Sequence, residues 1–326
     1  MSIATVSRVL RDSGPVSPET RTLVMTAVEE LGYRPNPLAQ GLRRGRSNAV
    51  ALVISDIEQG WYASLTKHLQ VALERQGVDL ILMSLGHEPR RLDAIVDRVQ
   101  SMRLRGMILA PSDRMAPGQI KKIVAGLDED LIVVSIGQRL DRYGIPSFVQ
   151  SDTEAARAAT EYLLSNGRWP IAFCSRIKTS MMGRERFQGY REAIEAAGLD
   201  VRDDLVWDFS GTSFFRQAAG YEMMIDALDR GVTFGGLLAG SDEIALGAMA
   251  AALDRRIDIP GQLAIIGFGG LEWGVSVRPT LTTMSSDISA LVGSVARCFG
   301  PAGDAPAGKQ SLLTVFERQL VLRASA

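Results

Sequence analysis

The chain has 326 residues, of which 46% are hydrophobic and 22% charged, with 36 basic against 37 acidic groups; this is the make-up of a globular protein with a real core in two or three domains. Two cysteines, Cys174 and Cys298, exclude a disulfide framework and most thiolate zinc sites, and two histidines, His68 and His87, leave little for a metal centre or a Ser-His-Asp triad. No apolar run approaches the ~20 residues of a membrane span and no charged leader precedes an apolar stretch, so a cytoplasmic protein with no membrane partner is expected.

The first 47 residues differ in charge from the rest. They hold seven Arg and four acids, net +3, while residues 48–326 are net −4. Leu31 to Ser55 carries four Arg and no acid, which suits a solvated linker or a nucleic-acid-binding arm. Val6, Val9 and Leu10 fall at i, i+3, i+4, one apolar stripe of a helix that Ser2 caps and Asp12-Ser13-Gly14-Pro15 ends. Ser17 caps a second helix with Leu23, Ala27 and Leu31 on one face and Gly32 at its end. Tyr33 to Pro37 is extended by its prolines, and Leu38–Arg44 has the length of one short helical turn. Spacing alone gives two helices and a basic hinge.

The motifs T-V-S-R-V-L, V-S-x-x-T-R, L-G-Y-x-P-N and A-x-x-L occur here in order. This segment resembles the DNA-binding headpiece of the lactose-repressor (LacI/GalR) transcription factors. The resemblance implies a helix-turn-helix whose second helix enters the major groove, here Ser2 to Arg11. It places Ile3 and Ala4 at base-reading positions, and Ser2, Thr5, Ser7, Arg8 and Asn36 among the DNA-contacting residues. Ile3 and Ala4 are apolar and read a thymine methyl or DNA shape, whereas an Arg forks onto guanine. Leu42 matches the hinge leucine that wedges into the minor groove; its alternative is a linker contact. The hinge is too short to be helical alone. In the family a further helix precedes the recognition helix. Its absence here implies either that the protein starts upstream, Met1 standing for a valine, or that the chain is a sugar-binding module that has lost DNA binding.

In the remainder, apolar runs alternate with helical spacing. Ala49–Ile54, Leu80–Met83, Met107–Leu109 and Leu131–Ile136 read as buried parallel strands, with helices at Tyr62–Gln76, Arg91–Met102 and Gln119–Leu127 between them. A second series has strands at Ile171–Cys174, Gly236–Ala239 and Leu263–Gly267, with helices at Arg184–Ala197, Phe214–Asp229 and Asp242–Arg255. Two strand–helix series predict an α/β protein of two doubly wound lobes, with ligand beyond the strand C-terminal ends.

The pieces A-L-V-I-S-D-I, G-M-I-L-A-P, G-R-E-R-F-Q-G-Y-R-E-A-I, L-A-G-S-D-E-I-A-L-G-A-M, I-P-G-Q-L-A-I-I-G-F, P-T-L-T-T-M and L-V-L-R-A-S resemble the periplasmic-binding-protein-like sugar domain of the same family. The resemblance implies discontinuous lobes, 48–149 plus about 287–311 and 150–286 plus about 312–326, following a 1–47 headpiece. It implies a homodimer on double-stranded operator DNA and a small-molecule effector between the lobes, with no cofactor and no metal. Its effector-binding positions are Asp56, Trp61, Tyr62, Arg186 of the R-x-x-G motif, Phe215, Ser241, Asp242 and Gly269. Against these stand Asp242 as a helix cap, Phe215 as core and Arg186 as a partner in a surface ion pair. Many members carry an Asp where this chain has Gly269-Gly270 followed by Leu271-Glu272-Trp273, and G-F-x-x-L-x-W resembles the gluconate-repressor branch. Loss of that carboxylate leaves Arg186 free to meet an acidic sugar. An enzyme is not expected: Gly267-Phe268-Gly269 lacks the third glycine of a dinucleotide fingerprint, and no P-loop or G-x-S-x-G occurs.

Overall fold

A computed structural model describes residues 1–326 except 3, 4, 7, 10–13, 33–46, 89, 127–130, 212–215, 301–310 and the side chains of 122 and 126. Ile3, Ala4, Ser7, Asn36, Leu42 and Phe215 thus lie outside the described residues. The chain divides into two compact units, Met1–Ser47 and Asn48–Ala326.

In the first unit Ser2 begins a helical turn as its spacing predicts. Its carbonyl accepts from Thr5 N at 3.0 Å and Val6 N at 3.2 Å, and its Oγ accepts from Thr5 N at 3.1 Å. Residues 5, 6, 8 and 9 are helical, with Arg8 exposed and Val9 buried. Helix α1, Pro18–Glu30, has Ser17 as N-cap, its hydroxyl accepting from Thr20 N. The stripe of Leu23, Ala27 and Leu31 shares one face, but Leu23 and Leu31 are exposed at 64% and 79%, and Val24 is the buried side chain. Three-residue offsets define a face only up to rotation about the axis, and Val24, one residue on, turns that face by about 100°.

The second unit holds two parallel-stranded sheets. Strands β1 (Ala49–Ile54), β2 (Asp79–Ser84), β3 (Gly106–Ala110), β4 (Ile132–Ile136), β5 (Ser147–Gln150) and β11 (Leu313–Phe316) order as β11-β5-β4-β3-β1-β2. The second sheet orders β12-β10-β9-β8-β6-β7, from β6 (Ile171–Ser175), β7 (Val206–Asp208), β8 (Gly236–Ala239), β9 (Ala264–Phe268), β10 (Thr282–Ser286) and β12 (Arg318–Val321). All pairs are parallel except β10 with β12. Every residue of β1, β3, β6, β8 and β9 is buried, because helices cover both faces of a parallel sheet and leave no polar side for alternation.

Helices α2 (Gly60–Glu74), α3 (Arg91–Ser101) and α4 (Pro117–Gly126) join the strands of the first lobe, and α5 (Asp152–Ser165), α6 (Met181–Ala196), α7 (Arg216–Asp229) and α8 (Asp242–Asp254) those of the second. Helix α9, Ile288–Arg297, packs on α2 through Leu291, Val292 and Val295 in the core of the first lobe. The chain therefore crosses between lobes after Gln150, after Ser286 and at Glu317. The last crossing differs from the expected one near Leu312, because Leu313–Phe316 first adds an edge strand to β5; a four-residue strand is too short to show a period.

The helix pairs of the second lobe lie backbone to backbone. A Cβ on Gly189 would sit 2.0 Å from Thr153 O, and one on Gly247 would sit 1.8 Å from Gln217 O. The glycine of R-x-x-G thus lets α6 rest on the start of α5, where Arg186 meets Asp152.

Candidate functional site between the lobes

The C-terminal ends of β1, β6, β8 and β9 face a cleft between the lobes, the place where open α/β sheets bind ligands. The first lobe contributes Gln59, Trp61 and Tyr62; the second contributes the larger wall, with Phe209 and Phe268 among its apolar parts. Trp61 and Tyr62 pack edge-on at 5.1 Å between ring centroids, and burial pushes the Tyr62 hydroxyl well above its ordinary pKa.

The lobes are joined at both margins. Gly60 N donates to Glu243 Oε1 at 2.8 Å. On the other side Arg114 N donates to Thr179 O at 3.2 Å and Met181 N to Ser112 O at 3.0 Å, a short antiparallel bridge between lobes. Arg176 of the second lobe reaches Asp113 Oδ1 at 3.3 Å and His87 Nδ1 at 2.8 Å. His87 Nδ1 also lies 2.7 Å from Asp113 Oδ2, so one ring nitrogen faces both a donor and an acceptor.

Four guanidinium groups line the cleft, those of Arg176, Arg186, Arg216 and Arg318, against one lining carboxylate, Glu243, among the described residues. Arg186 donates from Nε to Asp152 Oδ1 at 3.0 Å and from Nη1 to Gly240 O at 2.5 Å, and its guanidinium lies 4.4 Å over the Phe268 ring. Arg318 donates from Nε to the same Asp152 oxygen at 2.8 Å and from Nη2 to Gln150 Oε1. Burial opposes ionisation of Asp152, but the charges and hydrogen bonds of Arg186 and Arg318 outweigh it and hold the carboxyl below its usual range. One carboxylate thus serves two arginines.

Of the expected effector positions, Trp61, Tyr62, Arg186, Ser241 and Gly269 line the cleft. Ser241 also caps α8, accepting from Ile244 N. Asp242 and Asp56 do not line it. Asp242 is wholly buried behind Gly269, accepting from Thr283 Oγ1 at 2.5 Å and from Leu271 N at 2.7 Å, and burial raises its pKa. It orders the loop after β9 rather than facing the cleft. Asp56 turns back on its own loop and accepts from Glu58 N at 3.0 Å, the local bond that a short Asp side chain makes more readily than a reach across a cleft. Gly269 and Gly270 have φ of +137° and +71°, values that favour glycine. Any side chain at Gly269 would start 3.2 Å from the Asp242 carboxylate. Sequence reasoning passed over Arg176, Arg216, Glu243 and Arg318. Their signal was position, each at or next to a strand or helix end, and position acquires meaning only once the ends converge.

Residues 47–296 match the family of periplasmic binding proteins and sugar-binding domains of the LacI family, and residues 1–36 match the bacterial regulatory proteins of the lacI family. Catabolite control protein A of Priestia megaterium is 28% identical over 286 residues, covering 87% of this chain and 83% of that protein. The HTH-type transcriptional regulator GalS of Salmonella typhimurium is 29% identical over 297 residues, with 89% and 83% covered. Among solved structures, a LacI-family regulator from Silicibacter pomeroyi superposes with a TM-score of 0.82 at 26% identity, covering 100% of this chain and 96% of that one. The lac repressor dimer bound to operator and the anti-inducer ONPF shares the fold, with a TM-score of 0.85 at 21% identity over 100% and 96% of the two chains. The match to the DNA-binding headpiece favours a DNA-binding protein over a module without that activity. With a headpiece, two α/β lobes and a charged cleft between them, the chain belongs to the LacI family of DNA-binding transcriptional regulators.

Proposed function

We propose that this protein is a cytoplasmic homodimeric repressor of a sugar or sugar-acid utilisation operon, and that its effector is an acidic sugar of the gluconate type held between the lobes. The observation that carries the acid reading is the charge of the cleft: among the described residues four arginines stand against one lining carboxylate, with Gly269 where many members carry an Asp. Behind the wall Asp152 pairs with Arg186 and Arg318, and Asp113 with Arg176, so Arg216 is the arginine left to meet an anion. Trp61 supplies an apolar face for a carbon chain, and Ser241 and Gln59 supply polar groups for hydroxyls.

The headpiece residues Ser2, Ile3, Ala4, Thr5, Ser7, Arg8 and Asn36 contact operator DNA in this reading, with Leu42 in the minor groove. An effector acts only through its different affinity for the two lobe arrangements. The bonds at Gly60–Glu243, Arg114–Thr179 and Arg176–Asp113 join the lobes in the arrangement described, and in this reading a ligand that fits the cleft they bound stabilises that arrangement. The test is calorimetry of the whole protein with gluconate, galactonate, glucuronate and neutral hexoses, alongside operator binding by fluorescence anisotropy at one fixed salt. Selective binding of an acid that changes operator affinity is expected. Preference for a neutral hexose would overturn the acid reading.

A further inference from the structure

The four arginines of the cleft are not equivalent. Arg186 has three of its contacts filled by Asp152, Gly240 O and the Phe268 ring. Arg318 shares Asp152 and holds Gln150. Arg176 is engaged across the lobes by Asp113 and His87. Arg216, the first residue of α7, lines the same cleft and has no hydrogen-bond or ion-pair partner among the described residues. It feels the charge of Glu243, but that carboxylate already accepts from Gly60 N at 2.8 Å. Burial lowers the pKa of Arg216, and the charge of Glu243 opposes this only in part.

A guanidinium presents five donors in a fixed fork and stays charged. Held in a cleft wall with its donors unspent, it gains most from an anion with two coplanar oxygens, that is, a carboxylate. Arg186, by contrast, would have to give up Asp152 to offer the same fork, and Asp152 would then repel the incoming anion. We infer that Arg216, not the motif arginine Arg186, receives the acidic group of the effector and sets its preference for an acid over a neutral polyol. Arg186 and Arg318 then form the rigid floor of the cleft through Asp152 and present at most single donors to hydroxyls. This assignment rests on the reading of the cleft as the site of an acidic sugar.

The experiment measures the affinities of gluconate and of its neutral counterpart glucitol for wild type, Arg216→Gln and Arg216→Lys, with thermal unfolding of each. Galactonate with galactitol replaces the pair if it binds wild type more tightly. Loss of one charge-assisted fork is expected to weaken acid binding ~10- to 100-fold in Arg216→Gln, with polyol affinity changed less than about threefold and the unfolding temperature held. Arg216→Lys, a charge without the fork, should recover much of the acid binding. Unchanged acid affinity in Arg216→Gln, or equal losses for acid and polyol, overturns the assignment while leaving the acidic-sugar reading in place. If wild type binds none of the acids, that reading falls and this assignment with it. Should Arg216→Gln not fold, Arg216→Lys decides alone: a selective several-fold loss of acid binding supports the role, and none overturns it.

Discussion

Asp152→Asn probes the floor of the cleft with the least change of shape. The Asp152 Oδ1 atom takes three charged donors: Arg186 Nε and Nη2, both at 3.0 Å, and Arg318 Nε at 2.8 Å. The side chain is 3% exposed, and Arg318 beside it is 1% exposed. Asparagine keeps an acceptor but removes the charge, leaving two adjacent buried cations without the counter-ion they share. Breaking a buried ion pair from one side costs about 3–5 kcal/mol, because the remaining charge stays desolvated. The retained acceptor places Asp152→Asn near the lower end, about 3 kcal/mol. At about 2–4 °C per kcal/mol for a unit of this size, the unfolding temperature should fall by roughly 6–12 °C.

The pH dependence follows from the same carboxyl. Its folded pKa lies below the unfolded value, so its contribution is complete above the unfolded pKa, about 3.9, and is lost as pH falls through the folded one. The gap between wild type and Asp152→Asn should therefore be full at pH 7 and shrink in strong acid. Circular dichroism melts across that range measure it. A second variant, Asp152→Asn with Arg318→Met, removes one of the stranded cations and should recover part of the loss. A melt of Asp152→Asn within about 1 °C of wild type at neutral pH would refute the claim that one carboxylate neutralises both arginines.

Gly247→Ala should cost about 2–3 kcal/mol in the same melts, since the new Cβ would begin 1.8 Å from Gln217 O across the α7–α8 contact, and a backbone must move to admit it. Gly118→Ala in α4, where nothing lies within 4 Å, is the control and should gain up to about 1 kcal/mol. Glu185 is held at a pKa of about 7, chiefly by burial and then by the Asp152 charge. Its folded pKa lies above the unfolded value of about 4.3, so the folded state binds the extra proton and stability falls as pH rises from about 4.3 to 7. Glu185→Gln should match wild type near pH 4 and exceed it by about 1–3 kcal/mol at pH 8, read from denaturant midpoints at the two pH values.

The architecture was legible because its signal is dense. Six-residue apolar runs such as Ala49–Ile54 and periodic stretches such as Arg91–Ser101 each specify their own element, and the alternation of the two specifies parallel sheets. The helices Asp152–Ser165 and Ile288–Arg297 and the strands Val206–Asp208 and Thr282–Ser286 were passed over, and among the other elements that escaped the shortest strands have their reason elsewhere in the chain. Ser147–Gln150, Leu313–Phe316 and Arg318–Val321 have four residues each, and they are strands because a neighbouring strand offers them a ladder. The burial of Val24 in place of Leu23 is of the same kind: periodicity marks a face, and packing picks which face is used.

The site divides along the same line. Trp61, Tyr62 and Arg186 were reached through motifs, and they do line the cleft. A motif fixes where a residue stands, however, and not whether its bonds are already spent. Asp242 follows a strand end as a ligand contact would, yet its two oxygens are consumed by Thr283 and Leu271. Arg186 stands in the cleft, yet Asp152 and Gly240 take its fork. These partners lie 29 to 54 residues away in sequence, so no local pattern announces them. What distinguishes Arg216 is the converse property, a cation in the cleft wall that the described fold does not pair. The fold satisfies the polar groups it needs for its own stability, and a charged group left unsatisfied in a concave site is the one on which a ligand of complementary charge gains most. In this cleft the motif arginine therefore secures the fold, and specificity for the ligand passes to a residue that the motif does not mark.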